Sequence, residues 1–130
     1  MADPVTVEDL LAEARSGLER LDPPAAAAAL EAGAVLVDIR SELQRERDGV
    51  VPGAVFVPRN VLEWRCDPAS PARDARVCDP AQQLILMCDE GYQSSLAAAN
   101  LKRLGFDRAA DLGGGFQAWR DAGLPVDLER

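Results

Sequence analysis

The order of hydrophobic and polar positions along the chain predicts two helices near its start. Between Thr6 and about Arg20 the apolar residues recur every three or four positions, which is the spacing of one helix face. Asp22 and two prolines then interrupt the pattern. The alanine-rich segment 25–32, which Gly33 follows, predicts a second, short helix.

Farther along the chain, short apolar runs predict buried strands. These runs are residues 35–39, 54–57, 84–88 and 109–112. Helical patterns stand between and after them, at residues 43–47, 61–64, 94–104 and 116–122. Strands that alternate with helices predict a parallel sheet with helices on both faces. The segments that follow the strands then meet at the carboxyl edge of the sheet, where α/β folds bind ligands.

Length and composition predict a single compact domain. The chain has 130 residues, of which 48% are hydrophobic and 28% charged. We expect residues 1–22 to form an N-terminal helical extension of the domain at residues 23–130. The net charge of −8 argues against binding to nucleic acid or to an anionic membrane. Without a signal-peptide pattern or a long apolar run, we expect a cytoplasmic protein.

The absence of histidine restricts the chemistry further. It excludes a Ser-His-Asp triad, a Cys-His pair and a histidine-ligated metal. Cys66, Cys78 and Cys88 include no Cys-x-x-Cys pair and are too few for a zinc site, so we expect neither a metal nor another cofactor. Cys66 and Cys78 lie in a polar segment predicted as a long surface loop. There they are bystanders, unless the loop folds back so that one of them can form a disulfide with Cys88.

Cys88 is the strongest candidate for chemistry. It ends a predicted buried strand, a short loop with Gly91 follows, and a helix begins near Ser94. This arrangement directs backbone N–H groups and the positive end of the helix dipole at the sulfur. Both stabilise a thiolate, or an anion bonded to the sulfur, without histidine. The alternative is a buried cysteine that acts as a small hydrophobic residue.

Four segments resemble those of the rhodanese-like sulfurtransferases, in the same order along the chain. The active-site loop of that family resembles Cys88-Asp-Glu-Gly-Tyr-Gln-Ser94. Further matches are Val-Leu-Val-Asp-Ile-Arg at residues 35–40, Val-Pro-Gly-Ala at 51–54 and Leu-Gly-Gly-Gly-Phe-Gln-Ala-Trp-Arg-Asp-Ala-Gly-Leu-Pro at 112–125. The resemblance implies an α/β, rhodanese-like domain at residues 23–130, whose central parallel five-stranded sheet has helices on both faces.

The resemblance also implies an activity. In a single-domain sulfurtransferase, Cys88 receives a sulfane sulfur as a persulfide and passes it to a thiol or cyanide acceptor. The implied partners are a small sulfur donor or acceptor, or a thiol-bearing protein, with the oligomeric state left open. The implied backbone cradle consists of Asp89, Glu90, Gly91, Tyr92, Gln93 and Ser94.

The loop departs from the family pattern in its charge. Many relatives carry Arg or Lys there, whereas Asp89 and Glu90 oppose thiolate formation and disfavour anionic donors such as thiosulfate. We therefore expect a neutral, cationic or protein-bound donor or acceptor. Arg40 and Arg59 follow predicted strands at the same edge, and either can supply the missing positive charge. For Arg40 a structural salt bridge is favoured, and for Asp38 a structural carboxylate is favoured over an acid or base.

Two other functions fit the same fold. A binding or sulfur-sensing module would keep an inactive Cys88 and use its acidic surface to dock a basic partner. Some dual-specificity phosphatases also share the fold, but they clamp phosphate with an arginine at the end of a longer loop. The short acidic loop disfavours a dianionic phosphate.

Overall fold

Five strands form one parallel sheet in a computed structural model that describes residues 3–128. The strands are β1 (Glu19–Leu21), β2 (Val35–Asp38), β3 (Val55–Phe56), β4 (Leu84–Met87) and β5 (Ala110–Leu112). Their order is β1-β5-β4-β2-β3, and every neighbouring pair is parallel. All residues of β4 are buried, as expected of a central strand covered on both faces. The predicted five-stranded parallel sheet is confirmed.

Helices cover both faces of this sheet. They are α1 (Val7–Arg15), α2 (Pro23–Glu31), α3 (Glu42–Asp48), α4 (Leu62–Cys66), α5 (Gln93–Arg103) and α6 (Gly115–Asp121), with a 3₁₀ turn at Arg59–Val61. One apolar cluster joins the sheet to α4 and α5, and a second joins it to α2 and α6. Within residues 3–128, no helix has the length and apolar character needed to cross a bilayer.

Local sequence signals explain where the helices begin. Thr6 caps α1 by accepting a hydrogen bond from the N–H of Asp9, whose side chain in turn accepts one from the N–H of Thr6. Asp22 caps α2 by accepting a hydrogen bond from the N–H of Ala25, and prolines occupy the first two positions of that helix. The predicted N-terminal helices are therefore present.

The first helix is shorter than its hydrophobic pattern predicts. It ends at Arg15 instead of about Arg20, and Glu19–Leu21 pairs with β5 as an edge strand. Leu18 packs into the apolar cluster on one face of the sheet, and Leu21 into the cluster on the other. In an extended chain, residues that are an odd number of positions apart point to opposite faces. Leu18 and Leu21 are three positions apart, which is also the spacing of one helix face, so the pattern predicts a longer helix than the structure contains. The division of the chain at residue 22 remains a prediction.

The position of Cys66 differs from the surface loop that the sequence predicts. It ends α4 and is fully buried in the apolar cluster, not at the surface. Burial, followed by the nearby charge of Glu63, raises the pKa of its thiol to about 12. Cys78 is half-buried. The proline-rich segment after α4 consists of turns, but it contributes Val77 to the core.

Candidate active site

A cavity of about 540 Å³ opens at the carboxyl edge of the sheet, above β2 and β4. It is lined by Ile39, Arg40, Ser41, Gln44, Pro58, Arg59, Asn60, Cys88, Asp89, Glu90, Tyr92 and Gln93. The structure therefore brings Cys88, its loop and both candidate arginines to one site. This is the edge at which parallel α/β sheets bind their ligands.

Cys88 lies immediately after β4 and is only 7% exposed. Its Sγ accepts a hydrogen bond from the N–H of Gly91 at 3.1 Å and another from the N–H of Ser94 at 3.4 Å. Ser94 belongs to the first turn of α5, so the positive end of that helix faces the sulfur. Donors in this position favour negative charge on Sγ or on an atom bonded to it.

Gly91 adopts a conformation that requires glycine. Its φ is +88°, and an added Cβ would lie 2.7 Å from the backbone nitrogen of Gly114. The loop therefore folds tightly against the segment that precedes α6. This contact lets the Gly91 N–H approach Sγ.

The glycine run before α6 supports the loop from its other side. The N–H of Phe116 donates to the carbonyl of Cys88 at 2.9 Å, and the N–H of Gln117 donates to that of Asp89 at 3.1 Å. A Cβ on Gly115 would lie 2.6 Å from both carbonyl oxygens. Gly114 and Gly115 have φ values of +77° and +63°, a left-handed conformation that favours glycine in this turn. Two loop carbonyls are thus held by α6.

The acidic side chains of the loop do not bind the sulfur. The Asp89 carboxylate accepts a hydrogen bond from the Gln117 side chain at 3.0 Å. Glu90 and Gln93 are exposed, and Tyr92 is 58% exposed at the cavity rim. The polar groups that contact Sγ are therefore backbone N–H groups.

Asp38 and Arg40 form a buried ion pair below the cavity. Nε and Nη2 of Arg40 lie 3.1 and 2.9 Å from the Asp38 carboxylate, which also accepts from Arg45 at 2.7 Å. Arg40 further donates to the carbonyl of Gly49 at 2.8 Å and stacks over the Phe116 ring. These contacts favour a structural role for the pair, which fixes the turn after β2. A role in substrate binding remains a prediction.

Arg59 lines the cavity, but its charge is paired with a carboxylate. Its Nη1 lies 2.9 Å from the carboxylate of Glu63, one helical turn away. Burial opposes ionisation of Glu63, but hydrogen bonds from Asn100 and Arg59 outweigh it and lower the pKa of this carboxyl. The positive potential that Arg59 offers to a ligand is therefore reduced.

Sequence reasoning missed a polar network beneath the loop. Asp111 of β5 is fully buried and accepts hydrogen bonds from Arg20, Ser94 and Ser95. A carboxylate in the middle of a predicted apolar strand, between Ala110 and Leu112, was the available signal. Among residues 3–128, no cluster of three or more metal-ligating side chains occurs.

The chain is similar to known proteins over most of its length. The sequence model of the rhodanese-like domain family matches residues 22–122. Thiosulfate sulfurtransferase GlpE of Stutzerimonas stutzeri is 34% identical over 111 residues, which cover 85% of this chain and 92% of that protein. The mitochondrial protein HIGH ARSENIC CONTENT 1 of Arabidopsis thaliana is 42% identical over 53 residues, which cover 41% of this chain and 31% of that protein.

A solved structure matches almost the whole chain. It is that of a Rhodopseudomonas palustris protein of unknown function, described as a possible tyrosine phosphatase. The two share 36% sequence identity with a TM-score of 0.87, and the match covers 98% of this chain and 99% of that one. Together with the cysteine cradle at the sheet edge, the family match over residues 22–122 identifies this chain as a member of the rhodanese-like domain family.

Proposed function

We propose that this chain is a sulfurtransferase that carries sulfane sulfur as a persulfide on Cys88. The observation that carries the proposal is the position of Sγ, which lies at the cavity and accepts two backbone N–H donors. Such a cradle stabilises negative charge on Sγ before transfer and on the persulfide after it. The relative from Stutzerimonas stutzeri, named a thiosulfate sulfurtransferase, supports this reaction class.

The transfer takes place in two displacements at sulfur. In the first, the Cys88 thiolate attacks the sulfane sulfur of the donor, and an Sγ–S bond forms. The donor's own bond to that sulfur breaks, and its electron pair leaves with the remaining thiolate or, from thiosulfate, with sulfite. In the second, a thiol or cyanide attacks the terminal sulfur, and the Sγ–S electron pair returns to Cys88. The sulfur and its electrons balance without a metal or redox cofactor.

The charge at the cavity rim favours particular donors. Asp89 and Glu90 line the cavity, and the loop between Cys88 and α5 contains no basic side chain. A unit charge at 4 Å contributes about 1 kcal/mol in water and about 4 kcal/mol near a protein surface. This repulsion acts on dianionic thiosulfate more strongly than on a neutral persulfide. A neutral, cationic or protein-bound donor is therefore the preferred substrate class.

Intact mass spectrometry tests this proposal. Reduced protein is incubated with thiosulfate, or separately with a small-molecule persulfide, and then treated with cyanide. We expect a gain of one sulfur atom that cyanide removes. Cys88→Ser should abolish the gain, whereas the matched control Cys78→Ser should keep it.

Three outcomes would overturn the assignment. No gain with either donor would favour a binding or sensing module, and a gain that persists in Cys88→Ser would place the chemistry elsewhere. Cys88-dependent hydrolysis of p-nitrophenyl phosphate without sulfur uptake would favour a phosphatase. We expect no such hydrolysis because residues 89–94 offer no arginine to bind a dianionic phosphate.

A further inference from the structure

Two arginines from the N-terminal segment bind one carbonyl of the active-site loop. The carbonyl oxygen of Gly91 accepts a hydrogen bond from Nη2 of Arg15 at 3.0 Å and from Nη2 of Arg20 at 2.7 Å. The N–H of the same Gly91 donates to Cys88 Sγ. Gly91, which makes the shorter of the two hydrogen bonds to Sγ, is therefore held at both its N–H and its carbonyl.

The same arginines join the polar network beneath the loop. Nε of Arg20 lies 3.1 Å from the carboxylate of Asp111, which accepts from Ser94 at 2.9 Å and from Ser95 at 2.8 Å. Nε of Arg15 donates to the hydroxyl of Ser95 at 3.0 Å. Ser94 also supplies the second N–H donor to Sγ. The first turn of α5 is thus held by α1, β1 and β5.

We propose that Arg15 and Arg20 are positioning residues of the active site, which orient the loop N–H groups toward Cys88 and supply the positive charge that the loop lacks. This inference rests on the proposed role of Cys88. It gives the N-terminal segment a function, although the family match begins only at residue 22.

Peptide geometry explains the orienting effect. In a trans peptide the carbonyl and the N–H point in opposite directions. Because both arginines hold the Gly91 carbonyl, the N–H of Tyr92 points away from them. Tyr92 lines the cavity, so we expect this N–H to be available as a further donor to a terminal sulfur.

The electrostatic effect comes mainly from Arg15. The charge of Arg20 is balanced by Asp111, whereas Arg15 forms no ion pair within residues 3–128. Its side chain is partly buried, so its charge is less screened than that of a fully exposed group. A cation bound to the loop backbone offsets Asp89 and Glu90 from the inner side of the loop.

The test measures the pH dependence of Cys88 alkylation by iodoacetamide in a Cys78→Ser background. Peptide mass spectrometry confirms the modified residue. We expect Arg15→Met to slow alkylation at pH 7 by about threefold to tenfold and to shift the midpoint of the pH–rate profile upward. Arg15→Lys keeps the charge and should restore most of the rate. A role limited to stability would not produce this rescue together with a shifted pH profile.

The matched control is Lys102→Met. Nζ of Lys102 ties α5 to the carbonyl of Gly17 at 2.9 Å without touching the loop. The Lys102→Met substitution therefore loosens the N-terminal segment, but the Gly91 carbonyl stays bound to both arginines. We expect its alkylation profile to match that of the unmodified protein. Thermal unfolding of every variant measures the loss of stability separately.

Arg20 requires a double variant, since its loss alone leaves the buried Asp111 charge uncompensated. Arg20→Gln with Asp111→Asn removes both charges together, and we expect slower alkylation at pH 7 here as well. Wild-type alkylation profiles in both the Arg15→Met and the double variant would overturn the inference. An equal slowing in Lys102→Met would also overturn it. Failure of the sulfurtransferase proposal can be distinguished from failure of this inference. The former appears as absent sulfur uptake by the unmodified protein, whereas the alkylation assay requires no persulfide.

Discussion

Replacing Gly91 with alanine tests how the cradle is built. The residue has a φ of +88°, and an added Cβ would lie 2.7 Å from the nitrogen of Gly114 and 3.2 Å from Nη2 of Arg20. The arginine can move, but the backbone at Gly114 cannot easily do so. Its neighbour Gly113 donates to the carbonyl of Leu21 at 2.8 Å, which anchors this segment to the edge strand. The loop itself must therefore shift away from Sγ.

The expected loss of stability in Gly91→Ala has two parts. A left-handed φ costs an alanine about 1 to 2 kcal/mol, and displacement of packed backbone adds about 1 to 3 kcal/mol. We expect Gly91→Ala to lower the free energy of unfolding by about 2 to 5 kcal/mol. Gly53→Ala is the matched control, because Gly53 has a φ of +81° and its Cβ would meet nothing within 4 Å. That variant should lose only the conformational part, about 1 to 2 kcal/mol.

Urea unfolding measures both stabilities, and single-turnover loading from a persulfide donor measures the site. Gly91→Ala should load sulfur at least about tenfold more slowly, because the displaced loop no longer aims its donors at Sγ. Gly53→Ala should load at the unmodified rate. The reasoning is refuted if the two variants are equally stable, or if Gly91→Ala loads sulfur normally while folded.

Three further outcomes follow from charge and burial. The double variant Asp89→Asn, Glu90→Gln should load sulfur faster from thiosulfate, measured as the ratio of this rate to the rate with a neutral persulfide. We expect this ratio to rise by about twofold to tenfold at low salt and by less at high salt. An unchanged ratio at low salt would contradict the prediction. The side-chain hydrogen bond from Arg76 lowers the pKa of Asp74 to about 2. The stabilisation by Asp74 is therefore present above the ordinary carboxyl range and lost as pH falls towards 2, so urea unfolding should show Asp74→Asn destabilised at pH 7 but not near pH 2. Since burial raises the pKa of the Cys66 thiol to about 12, mass spectrometry should find it unalkylated at pH 8 until urea unfolds the chain.

Much of the fold could be predicted because the signals are local. The apolar runs at β2 and β4 mark buried strands without alternation, and the capping residues mark the starts of α1 and α2. Cys88 could be placed at the site for the same reason, since a strand, a glycine loop and a helix follow each other directly. The β1 strand could not be predicted, because three residues become extended only by pairing with β5.

The contacts that hold the active-site loop in place could not be predicted from the sequence. Arg20 and Asp111 are 91 positions apart, and Arg15 and Gly91 are 76 apart. Contacts over such separations leave no periodic mark in a single sequence. The sequence instead indicates Arg40 and Arg59, because both follow strands at the correct edge. In the structure both are paired with carboxylates, whose charge reduces what they offer to a ligand.

The orientation of backbone groups explains how a loop with acidic side chains can still favour negative charge at Sγ. The carbonyls of Cys88 and Asp89 accept hydrogen bonds from the start of α6, and the carbonyl of Gly91 accepts them from two arginines. With these oxygens bound by the scaffold, the N–H groups of Gly91 and Ser94 are free to face Sγ. The positive potential at the sulfur thus comes from oriented peptides and, in our proposal, from the charge of Arg15, while the acidic side chains remain at the rim. Under the proposed function, sulfur binding and donor selection are separate properties of this loop, and substitutions at the rim should change the choice of donor without disrupting the cradle.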